Sequence, residues 1–91
     1  MRWFKKREIV IYYLLYKKFK DRQFNLGEAL DILSPYFSKK VSLNVIRYLT
    51  NVGVLIKVGD MNYKVLPFEE YLGEISFQYL RRRAILRRKT R

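Results

Sequence analysis

The sequence predicts one small domain that is mainly helical and carries a small β-hairpin, an α+β fold. Three observations indicate this. Residues 39–52 place apolar and polar side chains on opposite sides of a helix, and Gly53 follows where a left-handed C-cap is needed. Two β-branched runs come next, at 54–58 and 63–66, joined by a short loop that contains glycine and asparagine. With 91 residues, the chain has room for a single core.

The composition favours a folded, strongly basic protein. Hydrophobic residues make up 49% and aromatic residues 16% of the chain, which is high for a disordered segment. A net charge of +12 attracts phosphate or anionic lipid. The chain contains no cysteine and no histidine, so disulfides, thiolate metal sites and the commonest general base are all missing. We therefore expect a protein that is not an enzyme and that needs no cofactor or metal.

No membrane segment is expected. The apolar run at 9–16 is far shorter than the roughly 20 residues of a membrane span. No small-residue cleavage site follows it, as a signal peptide would require. We therefore expect an intracellular, cytoplasmic protein without a membrane partner, associated with the nucleoid if its source is prokaryotic.

The first two helices are predicted from 6 to 20 and from 26 to Ser34. The run at 9–16 is apolar on every side, so two sides of the first helix must be covered, within the fold or by a partner. Periodicity alone also allows a buried strand here. Asn25 and Glu28 form the pattern of a capping box at the start of the second helix. Pro35 predicts that this helix ends at Ser34.

A fourth helix is predicted to begin near Pro67. It has two apolar sides. One is predicted to return to the core, and the other points away from it. The first comprises Phe68, Leu72, Ile75 and Tyr79, and the second comprises Phe77, Leu80 and Ala84. Glutamates 69, 70 and 74 suit the positive end of the helix dipole, and nothing else in the sequence supports a catalytic or metal-binding role for them.

The order helix, short segment, helix, turn, helix, hairpin, helix resembles the winged helix-turn-helix superfamily, and especially its small dimeric regulators with an extra C-terminal helix. The matching stretches are FNLGEAL at 24–30, IRYLTNVGVL at 46–55 and the wing turn at 59–63. The resemblance implies a three-helix core, a wing and a C-terminal helix with a basic tail at 67–91. It also implies a sequence-specific transcriptional regulator that binds double-stranded DNA. The stretch between the second and third helices is longer than the family's tight turn.

The third helix, about 40–52, would then enter the major groove. An arginine can donate two hydrogen bonds to guanine, an asparagine can pair with adenine, and leucine can contact the methyl group of thymine. Lysines at the start of the helix would hold phosphates. The predicted residues are Lys39, Lys40, Leu43, Asn44, Arg47 and Asn51. The alternative is that this is the solvated face of an ordinary amphipathic helix.

Seven of the eleven residues at 81–91 are basic. Arg81, Arg82, Arg83, Arg87 and Arg88 are predicted to contact DNA phosphates. The alternatives are the minor groove, RNA, or a disordered end that only increases solubility. The wing carries only Lys57 and Lys64 on its strands, so it is expected to support the fold more than to enter a groove.

A homodimer is expected. Its predicted interface combines part of the first helix with Trp3, Phe4, Phe77, Leu80 and Ala84, although the first helix could instead cover these residues within the monomer. A two-fold dimer would place two recognition helices about 34 Å apart, one turn of DNA. Two other functions stay open: a non-specific architectural or chromatin protein, and a winged-helix module that docks onto a protein of a replication or transcription complex.

Overall fold

The computed structural model describes residues 3–89, and within them four helices and one three-stranded antiparallel sheet. The elements are α1 (Lys6–Phe19), β1 (Phe24–Asn25), α2 (Leu26–Leu33), α3 (Lys39–Val52), β2 (Leu55–Lys57), β3 (Asn62–Val65) and α4 (Phe68–Lys89). The mainly helical α+β class is confirmed, and the predicted hairpin corresponds to β2 and β3.

The sheet has the order β1-β3-β2, so the long-range pairing runs between β1 and the hairpin. Phe24 pairs with Tyr63, and Leu55 pairs with Val65. The N–H of Leu26 donates to the carbonyl of Met61 at 3.0 Å. These bonds attach the start of α2 to the hairpin. Sequence patterns did not predict β1, because two residues are too short to show an alternation.

The predicted helix caps are confirmed. The Asn25 side chain accepts from the N–H of Glu28 at 2.8 Å, and the Glu28 carboxylate accepts from the N–H of Asn25 at 3.1 Å. The bond from the Asn25 backbone, with a smaller contribution from Arg22, lowers the pKa of Glu28. At the end of α3, Gly53 has φ 94°. The cap geometry therefore fixes where α2 begins and where the chain turns from α3 toward β2.

The core lies between one side of α1, the inner sides of α2 and α3, and the sheet. Its fully or nearly fully buried members include Ile11, Leu15, Phe19, Phe24, Ala29, Leu33, Val45, Ile46, Leu49, Val54, Leu55 and Val65. The predicted amphipathic arrangement of α3 is confirmed, because Val45, Ile46 and Leu49 are buried. Helix α1 is covered on one side only, since Ile9, Tyr13 and Tyr16 stay exposed.

Helix α4 leaves the core after its first turn. Among its described side chains, Tyr71 is the only buried one. The prediction that a stripe of α4 returns to the core is wrong, because Leu72 is 41% and Tyr79 59% exposed. The chain accordingly measures 56 Å along its longest axis and 24 and 21 Å across it. An apolar stripe indicates that a helix will be covered, but not which chain covers it.

None of the described helices is both long enough and apolar enough to span a membrane.

An aromatic cluster fastens the first turn of α4 to the core. The Phe4 ring stacks on that of Tyr71 with centroids 5.9 Å apart. It also meets the rings of Tyr12 and Tyr48 edge-on, at 6.4 and 6.2 Å. Such pairs are worth about 0.5–1.5 kcal/mol each beyond the area they bury. The segment before α1 therefore contributes to holding α1, α3 and α4 together.

The Tyr12 hydroxyl donates to the carbonyl of Leu66 at 2.5 Å. Burial, followed by the neighbouring hydroxyls of Tyr16 and Tyr71, raises the pKa of Tyr12 to about 12. The folded state therefore holds this proton more tightly than the unfolded state, where a tyrosine pKa is about 10. The contribution to stability is complete below pH 10 and is lost as the pH rises toward 12.

Tyr12→Phe is expected to lower the free energy of unfolding at pH 7 by about 1 kcal/mol, because the hydrogen bond to Leu66 is lost. The variant should also lose less stability than the native chain between pH 10 and 11.5. Urea unfolding across this range measures both effects, with Tyr36→Phe as the control, since Tyr36 is 69% exposed. Equal alkaline losses in Tyr12→Phe and the native chain would contradict the assignment.

Candidate nucleic-acid interface

The outer side of α3 carries the predicted base-contacting residues. Asn44, Arg47 and Asn51 are exposed, and Leu43 is half-buried. Helical spacing requires this arrangement, because α3 buries Val45, Ile46 and Leu49 on its other side. The amphipathic pattern of α3 therefore presents one arginine and two asparagines together to solvent.

This side of α3 forms one wall of an open groove of about 370 Å³. The start of α2 and the sheet supply the other walls. The lining residues are Leu26, Leu43, Ile46, Arg47, Thr50, Asn51, Lys57 and Tyr63. Its charged members are Arg47 and Lys57, both positive, and none of the lining residues is acidic. The groove therefore attracts anions and offers hydrogen-bond donors along one edge.

Two contacts shape the groove. Tyr63 is held beside the start of α2 by the pairing of β1 with β3, and its ring stacks on that of Phe24 with centroids 6.1 Å apart. On α3, the Thr50 hydroxyl donates to the carbonyl of Ile46 at 2.8 Å. Because the Thr50 proton is used within the helix, Arg47 and Asn51 are the donors that α3 offers to a ligand here.

Sequence patterns did not predict Tyr63 and Leu26 as groove residues and identified Lys57 only as a strand lysine. The alternation of β3 places Tyr63 on the same side as the buried Val65, which predicts burial and not a groove wall. The position of Leu26 depends on the β1–β3 pairing. No local pattern signals either residue, because that pairing joins segments far apart in the chain.

The N-terminus of α3 carries the two predicted phosphate-binding lysines, both exposed. The Ser38 hydroxyl caps the helix by accepting from the N–H of Val41 at 3.2 Å. Lys39 also lines a second groove, of about 300 Å³, and Asp31 of α2 lines the same groove. Asp31 reduces the positive potential near Lys39, so Lys40 is the stronger of the two candidates for a phosphate contact.

The predicted phosphate-binding arginines of the tail, Arg81, Arg82, Arg83, Arg87 and Arg88, are exposed on α4. They belong to a continuous helix that extends to Lys89. None of them lines the groove beside α3. The structure therefore provides two separate basic regions, one on the core domain and one on the projecting helix.

The predicted dimer residues do not form one equivalent set. Trp3 is 88%, Phe77 66% and Leu80 63% exposed, and Ala84 is exposed as well. Phe4 differs, because its ring packs on Tyr71 and belongs to the aromatic cluster. Phe4 is half-buried and, like Trp3, also lines the groove along α4, so its place in an interface stays a prediction.

Within residues 3–89, no group of three or more acidic, histidine or cysteine side chains could hold a metal ion. Glu69, Glu70 and Glu74 of α4 are exposed and lie near the start of that helix.

Comparison of the chain with protein-family models, with curated proteins and with solved structures finds no match.

Proposed function

We propose that this chain is a DNA-binding protein of the winged helix-turn-helix type that recognises duplex sequence through α3. One observation carries the proposal: Arg47 and Asn51 lie on the exposed side of α3, in a groove that Lys57 makes more basic and that no acid lines. Arginine and asparagine are the side chains that pair bidentately with guanine and adenine in the major groove. An α-helix fits that groove, which is about 12 Å wide.

The order of elements supports this proposal. A short strand between α1 and α2 pairs with a β-hairpin that follows α3, in the order β1-β3-β2. Helices α2 and α3 are adjacent, with residues 34–38 between them. This connection is longer than a tight helix-turn-helix turn. The angle at which α3 would enter the groove is therefore particular to this chain.

Charge supports the same proposal. The net charge of +12 attracts polyanions, and the duplex backbone is one of them. Lys40 and Lys57 flank the base-contacting residues, as phosphate contacts do in proteins that insert a helix into DNA. We further propose a homodimeric transcriptional regulator that acts in the cytoplasm, because a two-fold pair of α3 helices would contact successive turns of DNA.

A binding selection from random duplex, repeated at two salt concentrations, tests the proposal. We expect an enriched two-fold symmetric site and a logarithm of affinity that falls linearly with the logarithm of salt, by about 0.9 per phosphate contact. Binding without any enriched sequence would contradict recognition through α3. Absence of binding to duplex at low salt would instead favour a protein-interaction module.

A non-specific architectural protein is the second candidate, and the exposed arginines of α4 favour it. In that case the projecting helix would supply most of the affinity through the DNA backbone, and α3 would add contacts without base preference. Substitution of the α4 arginines, compared with substitution of Arg47, separates the two candidates.

A further inference from the structure

Helix α4 has 22 residues. Among its described side chains, only that of Tyr71, in the first turn, is buried against the core. Helices in water are marginally stable unless a face is packed. The radius of gyration is 15.9 Å, whereas a compact chain of this length has about 12 Å. A second copy, another protein or a lipid surface could each cover such a helix.

The accessible surface of the chain exceeds that of a compact monomer by enough to form a dimer interface. The chain exposes 7117 Å², and a compact monomer of its mass exposes about 5,700 Å². The excess of about 1,400 Å² is more than the roughly 800 Å² that each partner contributes to a standard interface. Burial of the whole excess between two copies would bring each chain back to the surface expected for its mass.

The apolar part of this surface is continuous. A groove of about 580 Å³ runs along α4 and reaches Ile9 on α1. A smaller groove of about 240 Å³ shares Ile9 and Phe68 with it and extends to Tyr13. We call this region the α1–α4 surface. It comprises Ile9, Tyr13, Phe68, Leu72, Ile75 and Tyr79.

We propose that a second copy of the chain covers the α1–α4 surface, with the α4 helices of the two copies packed antiparallel along the stripe at 68, 72, 75 and 79. This deepens the proposed homodimer and moves its contact away from Phe77, Leu80 and Ala84. Those residues lie on the opposite side of α4.

The spacing of the stripe fits an antiparallel pair. Positions 68, 72, 75, 79, 82 and 86 follow the alternating four-three spacing of a coiled coil. The spacing is symmetric about residue 77. An antiparallel arrangement therefore places Ile75 opposite Tyr79 of the second copy, and Leu72 opposite Arg82 of the second copy. A parallel arrangement would instead place each Arg82 against its own equivalent.

Charge complementarity independently favours the antiparallel pair. The first half of α4 carries Glu69, Glu70 and Glu74, and the arginines of α4 all lie in its second half. Antiparallel packing brings the acidic half of one helix beside the basic half of the other, at both ends of the two-fold pair. Parallel packing would align the two arginine-rich halves, which repel each other.

The same arrangement explains the exposed side of α1. The basic end of α4 from the second copy would reach Phe68 and, beside it, Ile9 and Tyr13. The long aliphatic stems of arginine side chains can cover apolar surface there while their charged ends stay in water. The pair therefore buries α1 as well as α4 in both copies.

Sedimentation velocity of the full chain without DNA tests the association. We expect a species of twice 11.2 kDa. Ile75→Glu is expected to raise the dimer dissociation constant by roughly 100-fold or more, since it buries a carboxylate at the centre of the stripe. Leu80→Glu is the matched control, on the opposite side of α4, and should leave the dissociation constant unchanged. Circular dichroism verifies that both variants are folded.

The orientation is tested on a chain without interface substitutions. Because the native sequence contains no cysteine, nitroxide labels can be attached at Ser76→Cys or at Arg88→Cys. In the antiparallel pair, labels at 76 should be within about 20 Å of each other, whereas labels at 88 should be about 33 Å apart along the helix axes, from a rise of about 1.5 Å per residue.

Three results would overturn the proposal. The first is a monomer at every concentration, which would leave the α1–α4 surface to another protein or a lipid. The others are dissociation of the dimer by Leu80→Glu but not by Ile75→Glu, and short distances between the labels at both 76 and 88. All of these are measured without DNA. Failure of the dimer would therefore leave the proposed role of α3 standing, and failure of α3 to recognise sequence would leave the dimer standing.

Discussion

Arg47→Ala is expected to reduce the preference of this chain for its selected duplex by roughly 5- to 150-fold per half-site, the equivalent of about 1–3 kcal/mol for one bidentate base contact. Arg47 is exposed on α3 and lines the groove that Lys57 also lines. Truncation removes the guanidinium without disturbing the core, because the inner side of α3 is formed by other residues. The affinity for random duplex should fall far less, because the variant loses only the contribution of one positive charge to binding the DNA backbone.

The measurement is the ratio of dissociation constants for the selected duplex and a scrambled duplex, at one fixed salt concentration. Lys18→Ala is a matched control, since it removes one exposed positive charge from α1. It should leave the ratio unchanged. If Arg47→Ala and Lys18→Ala give the same ratio as the native chain, α3 does not select the sequence.

Replacing Arg81, Arg87 and Arg88 together by glutamine is expected to weaken binding to every duplex by a similar factor. These side chains are exposed on α4 and lie away from its apolar stripe. If each arginine binds a phosphate, the slope of log affinity against log salt should become shallower by about 0.9 for each arginine replaced, or about 2.7 for three. At protein concentrations that keep the variant dimeric, the ratio between selected and scrambled duplex should not change.

The outcome separates the two candidate functions. A uniform loss of affinity, with the ratio preserved, is the result that recognition by α3 predicts. Loss of all binding in the triple variant, combined with an unchanged ratio in Arg47→Ala, would favour the architectural protein. Lys6, Lys17 and Lys20 replaced together by glutamine form a control of equal charge change, because all three are exposed on or beside α1.

The elements with local signals could be predicted from the sequence. Asn25 and Glu28 mark the start of α2 through a reciprocal cap that involves only neighbouring residues. Gly53 marks the end of α3 because its φ of 94° disfavours a side chain. The hairpin followed from the loop between its strands. Such features depend on a few adjacent residues, which is why patterns detect them.

Features that depend on distant pairing could not be predicted. Strand β1 exists because Phe24 meets Tyr63, nearly 40 residues away. Phe4 joins an aromatic cluster whose other members lie on α1, α3 and α4. Periodicity does identify the apolar stripe of α4. Its exposure was not predicted, because periodicity does not distinguish a side chain buried in its own core from one available to another chain.

The candidate nucleic-acid interface can be predicted in part, because some of its residues follow from local helical spacing and others from distant pairing. Helical angles alone place Arg47, Asn44 and Asn51 on one side of α3, and they are exposed together. The sheet residues that complete the groove, Lys57 and Tyr63, depend on how the hairpin packs beside α3. The hydrogen-bond donors of α3 can therefore be predicted from the sequence, whereas the shape of the groove can be described only from the folded structure.

The most direct test of the central claim, that α3 contacts DNA, is the change in backbone amide NMR shifts when the full chain binds its selected duplex. We predict that the largest changes occur at 39–51 on α3 and at Lys57, with smaller changes on the arginines of α4. The exposed side of α1 should change little. Large changes confined to α4, with α3 unaffected, would contradict the account.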